Sequence, residues 1–392
     1  MTAAPARPSA SPQESGDLLD LADAEKAAAK ALPRGIWDFV AGGAGREQTL
    51  RANRTAFDGI HLVPRVLTGV SKPRTSVALL GTPVSMPVAI APMAYQGLVH
   101  PQGELAMAHA ARSSGTLLIA GALSSYPIEE IAAVGAQTWF QVYCLRDRAR
   151  TADLVVRAEA AGCGAIVLTV DVPRMGRRLR DMRNAFRLPD SVTAANLTDP
   201  AASATPSSAH QHRPGTSAVM AHTEELFETG LDWTVVDWLR ERTALPLVLK
   251  GVLHPDDVTR AARAGADAVI VSNHGGRQLD GALPSVIALR HIARQDLGQC
   301  RLILDGGVRE GTDILKALAL GADGVLVGRP ALWGLAIDGA QGAAEVLGLL
   351  RTELEQAMVL TGCGDLQDAR STTTALLDNW TFASPHRRQE NA

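Results

Sequence analysis

The sequence predicts a single (β/α)8 TIM barrel, and two patterns carry that expectation. An Ala-rich helix, a Gly just past its end and a short apolar run recur four times, as AARSSGTLLIA (110–120), AEAAGCGAIVLTV (158–170), AARAGADAVIVS (261–272) and KALALGADGVLVG (316–328). Gly supplies the left-handed turn that ends a helix, and apolar runs without polar alternation mark strands buried on both faces of a parallel sheet. Further strands near Val88–Ala91, Trp139–Val142, Pro246–Leu249 and Arg301–Leu304 bring the total to eight. Eight parallel strands, each followed by a helical stretch such as Pro255–Ala264 or Gly311–Leu320, close most simply into a barrel. An open doubly wound sheet is the alternative.

Along the chain, the first sixteen residues (MTAAPARPSASPQESG) are rich in Ala, Pro and Ser and lack the apolar core of a signal peptide. They read as a disordered tail. Residues 17–80 read as a helical and irregular cover of the barrel, so one domain is expected over 17–380, with a second tail over 381–392. The segment 188–230, after the fourth strand, is low in large apolar residues and rich in Ala, Ser, Thr and Pro. Such a segment buries too little surface to offset ordering. Its place on the catalytic face predicts a mobile, lid-like loop; a disordered insertion without function is the alternative.

Composition excludes several classes. With 38 basic and 41 acidic residues mixed along the chain and a net charge of −3, no extended basic face offers itself to nucleic acid. No run approaches the roughly 18 apolar residues of a membrane span, and the C-terminal RRQENA carries no peroxisomal tripeptide, so a cytoplasmic location is expected. Cys144, Cys163, Cys300 and Cys363 lie far apart without CxxC or His spacing, which predicts neither a metal site nor disulfides.

Barrel active sites form at the carboxyl ends of the strands, and here those ends are polar. In order they run into Ala91-Pro92-Met93-Ala94, Gln141 with Tyr143, Thr169 with Asp171, Lys250, Ser272-Asn273-His274, Asp305-Gly306-Gly307 and Gly328-Arg329. The last two loops, DGGVREG (305–311) and GRP (328–330), pair closely approachable glycine amides with Arg309 and Arg329, where barrels commonly bind phosphate. Plain turn glycines are the bland reading. His274, flanked by glycines in SNHGGRQLDG (272–281), is a candidate general base, and Arg277 a fork for a carboxylate. Asp171 at a neighbouring strand end could orient the protonated imidazole, against the alternative of a histidine satisfied in the core. Lys250 after PLVL would be costly unless it faces an anion or a developing negative charge; a Schiff-base or surface lysine are its rivals. Of the five arginines in VPRMGRRLRDMRN (172–184), Arg178 is the one expected to reach the site.

Five segments in order, LTVDVPRMGRR (168–178), VLKG (248–251), SNHGGRQLDG, LDGGVREGTD (304–313) and VGRP (327–330), resemble the FMN-dependent 2-hydroxy acid oxidase and dehydrogenase family over nearly the whole chain from Leu18 to Asn379. The resemblance implies His274 as base, Asp171 as its electrostatic partner, Arg178 and Arg277 as the clamp on the substrate carboxylate, and Tyr143 as hydrogen-bond partner of a substrate oxygen. For FMN it implies Lys250 at the N1/O2 edge, Gln141, Thr169, Ala94 and Ser272 near the ring, and Asp305, Gly307, Arg309, Gly328 and Arg329 around the ribityl phosphate. It also implies a homo-oligomer, tetrameric in the family, with oxygen as electron acceptor.

Three positions depart from the glycolate-oxidase pattern. Phe39 replaces a carboxylate-binding tyrosine, Leu123 falls about where a tryptophan lines the pocket, and Glu310 replaces a basic neighbour of Arg309. Phe39, Met93 and Leu123 would offer an apolar surface to a substrate ring, which predicts an aryl (S)-2-hydroxy acid over lactate or glycolate. Within the family, MGRRLRDMRN (175–184), VTAAN (192–196) and Phe39 are most similar to the hydroxymandelate oxidases. The rival readings are a dehydrogenase passing electrons to quinone or haem, an oxidase for small aliphatic acids, and a catalytically silent phosphate- or flavin-binding scaffold. A membrane-bound dehydrogenase would carry an apolar insertion where 188–230 is polar, and a scaffold has no need of a base beside a carboxylate clamp.

Overall fold

The computed structural model describes residues 18–198, 207–211 and 217–376 and the backbone of the short strand Phe382–Ala383. The expected tail 1–16, parts of the segment 188–230 and most of 381–392 lie outside the described residues. Eight parallel strands form a closed barrel. They are β1 (Val88–Ile90), β2 (Leu117–Gly121), β3 (Gln137–Val142), β4 (Ile166–Thr169), β5 (Leu247–Val252), β6 (Ala268–Val271), β7 (Arg301–Asp305) and β8 (Gly324–Val327). Neighbours follow sequence order, and β8 closes on β1 through Val325↔Val88 and Val327↔Ile90. The open-sheet alternative is thereby excluded.

Each strand buries two faces, as its unbroken apolar run requires. Trp139, Val167, Val248, Ile270, Ile303 and Leu326 fill the barrel interior, whereas Phe140, Leu168, Leu249, Val271, Leu304 and Val327 pack outward under the helices. The hairpin of Val77–Leu79 and Thr82–Val84 contributes Leu79 and Val84 to the interior cluster. Leu79 lies so near Gly324 that a Cβ there would sit 3.0 Å from its Cδ2.

The cover expected over 17–80 comprises helices Leu21–Ala31, Arg34–Ala41 and Gln48–Asp58 besides that hairpin. Ile60–Leu62 pairs with Thr374–Leu376, which in turn pairs with Phe382–Ala383, so part of the expected C-terminal tail joins a small sheet. The segment 188–230 is more structured than its composition suggests. It holds the helix Ala218–Leu226, whose Ala218, Val219, Ala221 and Thr223 are buried. Among the described residues, no helix is long and apolar enough to cross a membrane and no cluster of residues could hold a metal.

Candidate active site

Alternate residues of each strand point inward, and the inward set turns polar at its carboxyl end. Trp139 is followed by Gln141, Val167 by Thr169, Val248 by Lys250, Ile270 by Ser272 and Ile303 by Asp305. Lys250 Nζ lies 3.0 Å from Asp305 Oδ2 and donates to Ser272 Oγ at 3.2 Å, which donates to the same carboxylate oxygen at 2.6 Å. Burial opposes the Lys250 charge, but Asp305 and Asp171 outweigh it and hold the ammonium above its ordinary pKa. Burial likewise works against the Asp305 carboxylate, yet Lys250 and Ser272 keep it below the usual range. Both groups therefore stay charged at neutral pH. Gln141 Nε2 donates to Thr169 Oγ1 at 2.9 Å. Thr169 and Ser272 stand behind Gln141 and Lys250, and do not themselves line the cavity.

His274 follows β6 in a tight turn where it, Gly275 and Gly276 all have positive φ (59°, 63° and 75°). Left-handed backbone is unfavourable for a residue with a Cβ and persists only where the surroundings impose it. The His274 amide donates to Ser272 Oγ at 3.0 Å, and its Nδ1 lies 3.1 and 3.2 Å from the Asp171 carboxylate oxygens. That approach requires a glycine at 251, in the bulge of β5, because a Cβ there would sit 2.4 Å from Asp171 Cγ. Asp171 thus fixes the proton on Nδ1 and leaves the Nε2 lone pair available. Burial lowers the imidazole pKa and Lys250 adds to this, with Asp171 opposing. The neutral, proton-accepting form is favoured.

Arg178, Arg277, Arg309 and Arg329 all line the cavity. Among the described residues none of them has a carboxylate within 4 Å. Burial, with Arg277 nearby, pulls Arg178 down to about 9, and its Nε has no hydrogen-bond partner. Burial brings Arg309, which lies 4.7 Å above the Trp333 ring, to about 10. Burial and the three other guanidiniums push Arg329 well below its ordinary value. Buried cations so placed call for anions. Arg277 Nη1 donates to the carbonyls of Phe39 and Gly42 at 2.7 and 2.8 Å, and Arg329 to those of Val40, Gly275 and Gly42 at 3.1, 3.0 and 2.9 Å. Both arginines, expected as anion clamps, also brace the end of the helix Arg34–Ala41.

Gly307 and Gly328 line the cavity on the side of Arg309 and Arg329. A Cβ on Gly307 would sit 2.5 Å from the Asn53 carbonyl oxygen. This donor set suits a phosphate monoester at one end and a carboxylate near Arg178 and Arg277 at the other. The residues present fit FMN and a hydroxy acid.

The remaining wall is apolar. Phe39 stacks on Phe186 with ring centroids 4.6 Å apart and an interplanar angle of 12°, and the Arg277 guanidinium lies 5.3 Å from the Phe39 ring centre. Tyr143 stacks on Phe227 at 4.2 Å. Burial and Asp171 push the Tyr143 phenol up to about 12, so it remains a donor. Met93, Ala94 and Leu123 complete the wall with Met175, Val219 and Thr223. Sequence reasoning overlooked Met175, Phe186, Val219, Thr223 and Phe227. Val219 and Thr223 fall at i and i+4 on one face of the helix Ala218–Leu226, with Phe227 at its extended C-cap, and that signal was hidden in the polar average of its surroundings.

Comparison with known proteins agrees with this geometry. A family model described as FMN-dependent dehydrogenase matches residues 28–376. A 4-hydroxymandelate oxidase of Amycolatopsis orientalis is 50% identical over 358 residues, 91% of this chain and 98% of that protein. An L-lactate oxidase of Nostoc sp. is 46% identical over 355 residues, 89% and 96% of the two chains. A crystal structure of mandelate oxidase with (S)-4-hydroxymandelic acid superposes with a TM-score of 0.88 at 50% identity, covering 92% of this chain and 99% of that one. The chain therefore belongs to the FMN-dependent dehydrogenase family, as an FMN-dependent enzyme of its 2-hydroxy acid oxidase branch.

Proposed function

We propose that the protein oxidises an aryl (S)-2-hydroxy acid of the mandelate or 4-hydroxymandelate type to the 2-oxo acid and passes the electrons to oxygen, giving hydrogen peroxide. The observation that carries this reading is a buried arginine pair, Arg178 and Arg277, facing an apolar wall of Phe39, Leu123, Met175 and Phe227. A carboxylate is drawn to the guanidiniums and a ring to the wall. Bound FMN supplies the two-electron acceptor. His274 Nε2 takes a proton as the CH–OH carbon is oxidised, and Asp171 stabilises the imidazolium that results. Tyr143 donates to the substrate oxygen. The Lys250 ammonium, held charged by Asp305, would offset negative charge on the bound flavin. Gly307, Arg309, Gly328 and Arg329 would hold its phosphate, and Ala94 and Gln141 would flank its ring.

Burying a phenyl group is worth roughly 2 kcal/mol, and Phe39 withholds from small acids a hydrogen bond worth about 1 kcal/mol. Together these bias kcat/KM by on the order of 10²-fold toward aryl acids. Steady-state kinetics with mandelate, 4-hydroxymandelate, lactate and glycolate test it. The lactate oxidase relative makes a small-acid preference the specific competitor, and a faster lactate reaction would overturn the pocket argument. Anaerobic bleaching of the flavin followed by readmission of air tests oxygen as acceptor. We also propose a cytoplasmic homo-oligomer, tetrameric as the family resemblance implies; light scattering would check the assembly.

A further inference from the structure

The helix Gln48–Asp58 carries none of the groups assigned above, yet it packs directly on the turn that bears His274. Its Asn53 is buried and forms a reciprocal amide pair with Asn273, the residue before the base. Asn53 Nδ2 donates to Asn273 Oδ1 at 2.9 Å, and Asn273 Nδ2 donates to Asn53 Oδ1 at 2.8 Å. Asn273 Oδ1 also accepts from the Gly276 amide at 3.1 Å, which closes the turn around His274. Asn273 Nδ2 reaches the Leu283 carbonyl at 3.1 Å, and Asn53 Oδ1 accepts from the Ser285 amide at 3.3 Å. The same helix also presses Leu50 against Gly276, where a Cβ would meet the Leu50 amide nitrogen at 2.6 Å. Arg54, the residue after Asn53, donates to the Gly307 carbonyl at 2.7 Å on the phosphate side.

The left-handed His274 needs surroundings that over-determine it, and the amide pair is the side-chain part of what the N-terminal cover contributes, beside the Leu50 contact and the Ala44 amide that donates to the Gly276 carbonyl at 2.8 Å. We infer that Asn53 is a positioning residue for the base: through Asn273 it holds the His274 turn in register with Asp171, without touching substrate or cofactor. This rests on His274 being the base.

The test is a double-mutant cycle read by anaerobic flavin reduction, with mandelate or whichever acid the holoenzyme reduces fastest. Asn53→Ala should lower the limiting reduction rate by about tenfold with FMN retained and half-saturation nearly unchanged. In a His274→Ala background the same change should alter the residual rate less than about twofold, because the group it positions is gone. Asn53→Asp, of equal size and keeping the acceptor, gives the same non-additive pattern with a smaller loss and serves if the alanine variant does not fold. A wild-type rate in both Asn53 variants, or an equal loss in the two backgrounds, would overturn the inference alone. A wild-type rate in His274→Ala would overturn the base assignment and this inference with it.

Discussion

At the floor of the cavity Lys250, Asp305 and Ser272 satisfy one another within 3.2 Å and His274 faces Asp171 at 3.1 Å, whereas behind the loops that follow β1 and β2 the Glu104 carboxyl is buried with no ion pair among the described residues. One oxygen of Glu104 accepts the amides of Gln96 and Ser125 at 2.9 and 3.0 Å, tying the loop after β1 to the loop after β2; the other has no hydrogen-bond partner. Burial pushes this carboxyl up to about 7. Where the chemistry needs persistent charge, the fold supplies pairs; behind the loops that carry the apolar wall, burial makes a carboxyl easier to protonate. Turnover and selectivity are thus built by different physics in adjoining regions.

The largest expected effect tests the floor. His274→Ala should retain FMN and slow flavin reduction by at least roughly 10²-fold, the low end for loss of a general base, as measured by anaerobic stopped flow. A wild-type rate would remove the floor's claim to the chemistry. Arg178→Met deletes a charge-assisted bond to the substrate carboxylate and should raise KM by roughly 30-fold, with a smaller fall in kcat. Steady-state kinetics separate the two constants.

Smaller effects sharpen the contrast. Phe39→Tyr restores a donor in the wall and should narrow the mandelate-to-lactate ratio of kcat/KM by about fivefold, the value of one hydrogen bond. The pH profile probes the floor again. Because the His274 pKa lies below 6.5, kcat/KM should hold through neutral pH and fall only as pH drops below that value. Asp171 favours the protonated imidazole, so Asp171→Asn should move this acid limb to still lower pH; a shift upward would contradict the pairing.

Glu104→Gln should give the smallest change and the opposite sign to a floor variant. The folded pKa is raised from 4.5 to about 7, so the carboxyl imposes no cost below 4.5 and its full cost above 7. Glutamine keeps the accepting oxygen and removes the charge. Stability should therefore rise by roughly 1–2 kcal/mol at pH 8 and hardly at all at pH 4, checked by denaturant titration at both.

Much of the floor was legible because the residues concerned end strands. Gln141, Lys250 and Asp305 each follow an apolar run directly, and a period of two places them inward, while His274 stands out three residues past the end of β6 between polar residues and glycines. The wall was less legible. Phe39, Met93 and Leu123 were found only as departures from, or neighbours of, a family pattern, and Phe227 lay in a segment whose average composition is polar. Glu104 in GELAMAHAA looks like an ordinary surface acid, yet it is fully buried. Arg277 and Arg329 were recognised as cations for anions, but their bracing of the Phe39–Gly42 carbonyls was not.

The sequence by itself determined the repeating helix–Gly–strand unit, the count of eight strands and the polar character of their ends, since these depend on backbone propensity and periodicity among near neighbours. Only the tertiary structure decided which groups meet across the closed barrel. Asn53 and Asn273 are 220 residues apart, and His274 and Asp171 are 103 apart. Such pairings arise from barrel closure and from the packing of the cover helices, where a glycine's missing Cβ at 251 or 276 decides whether two backbones can approach.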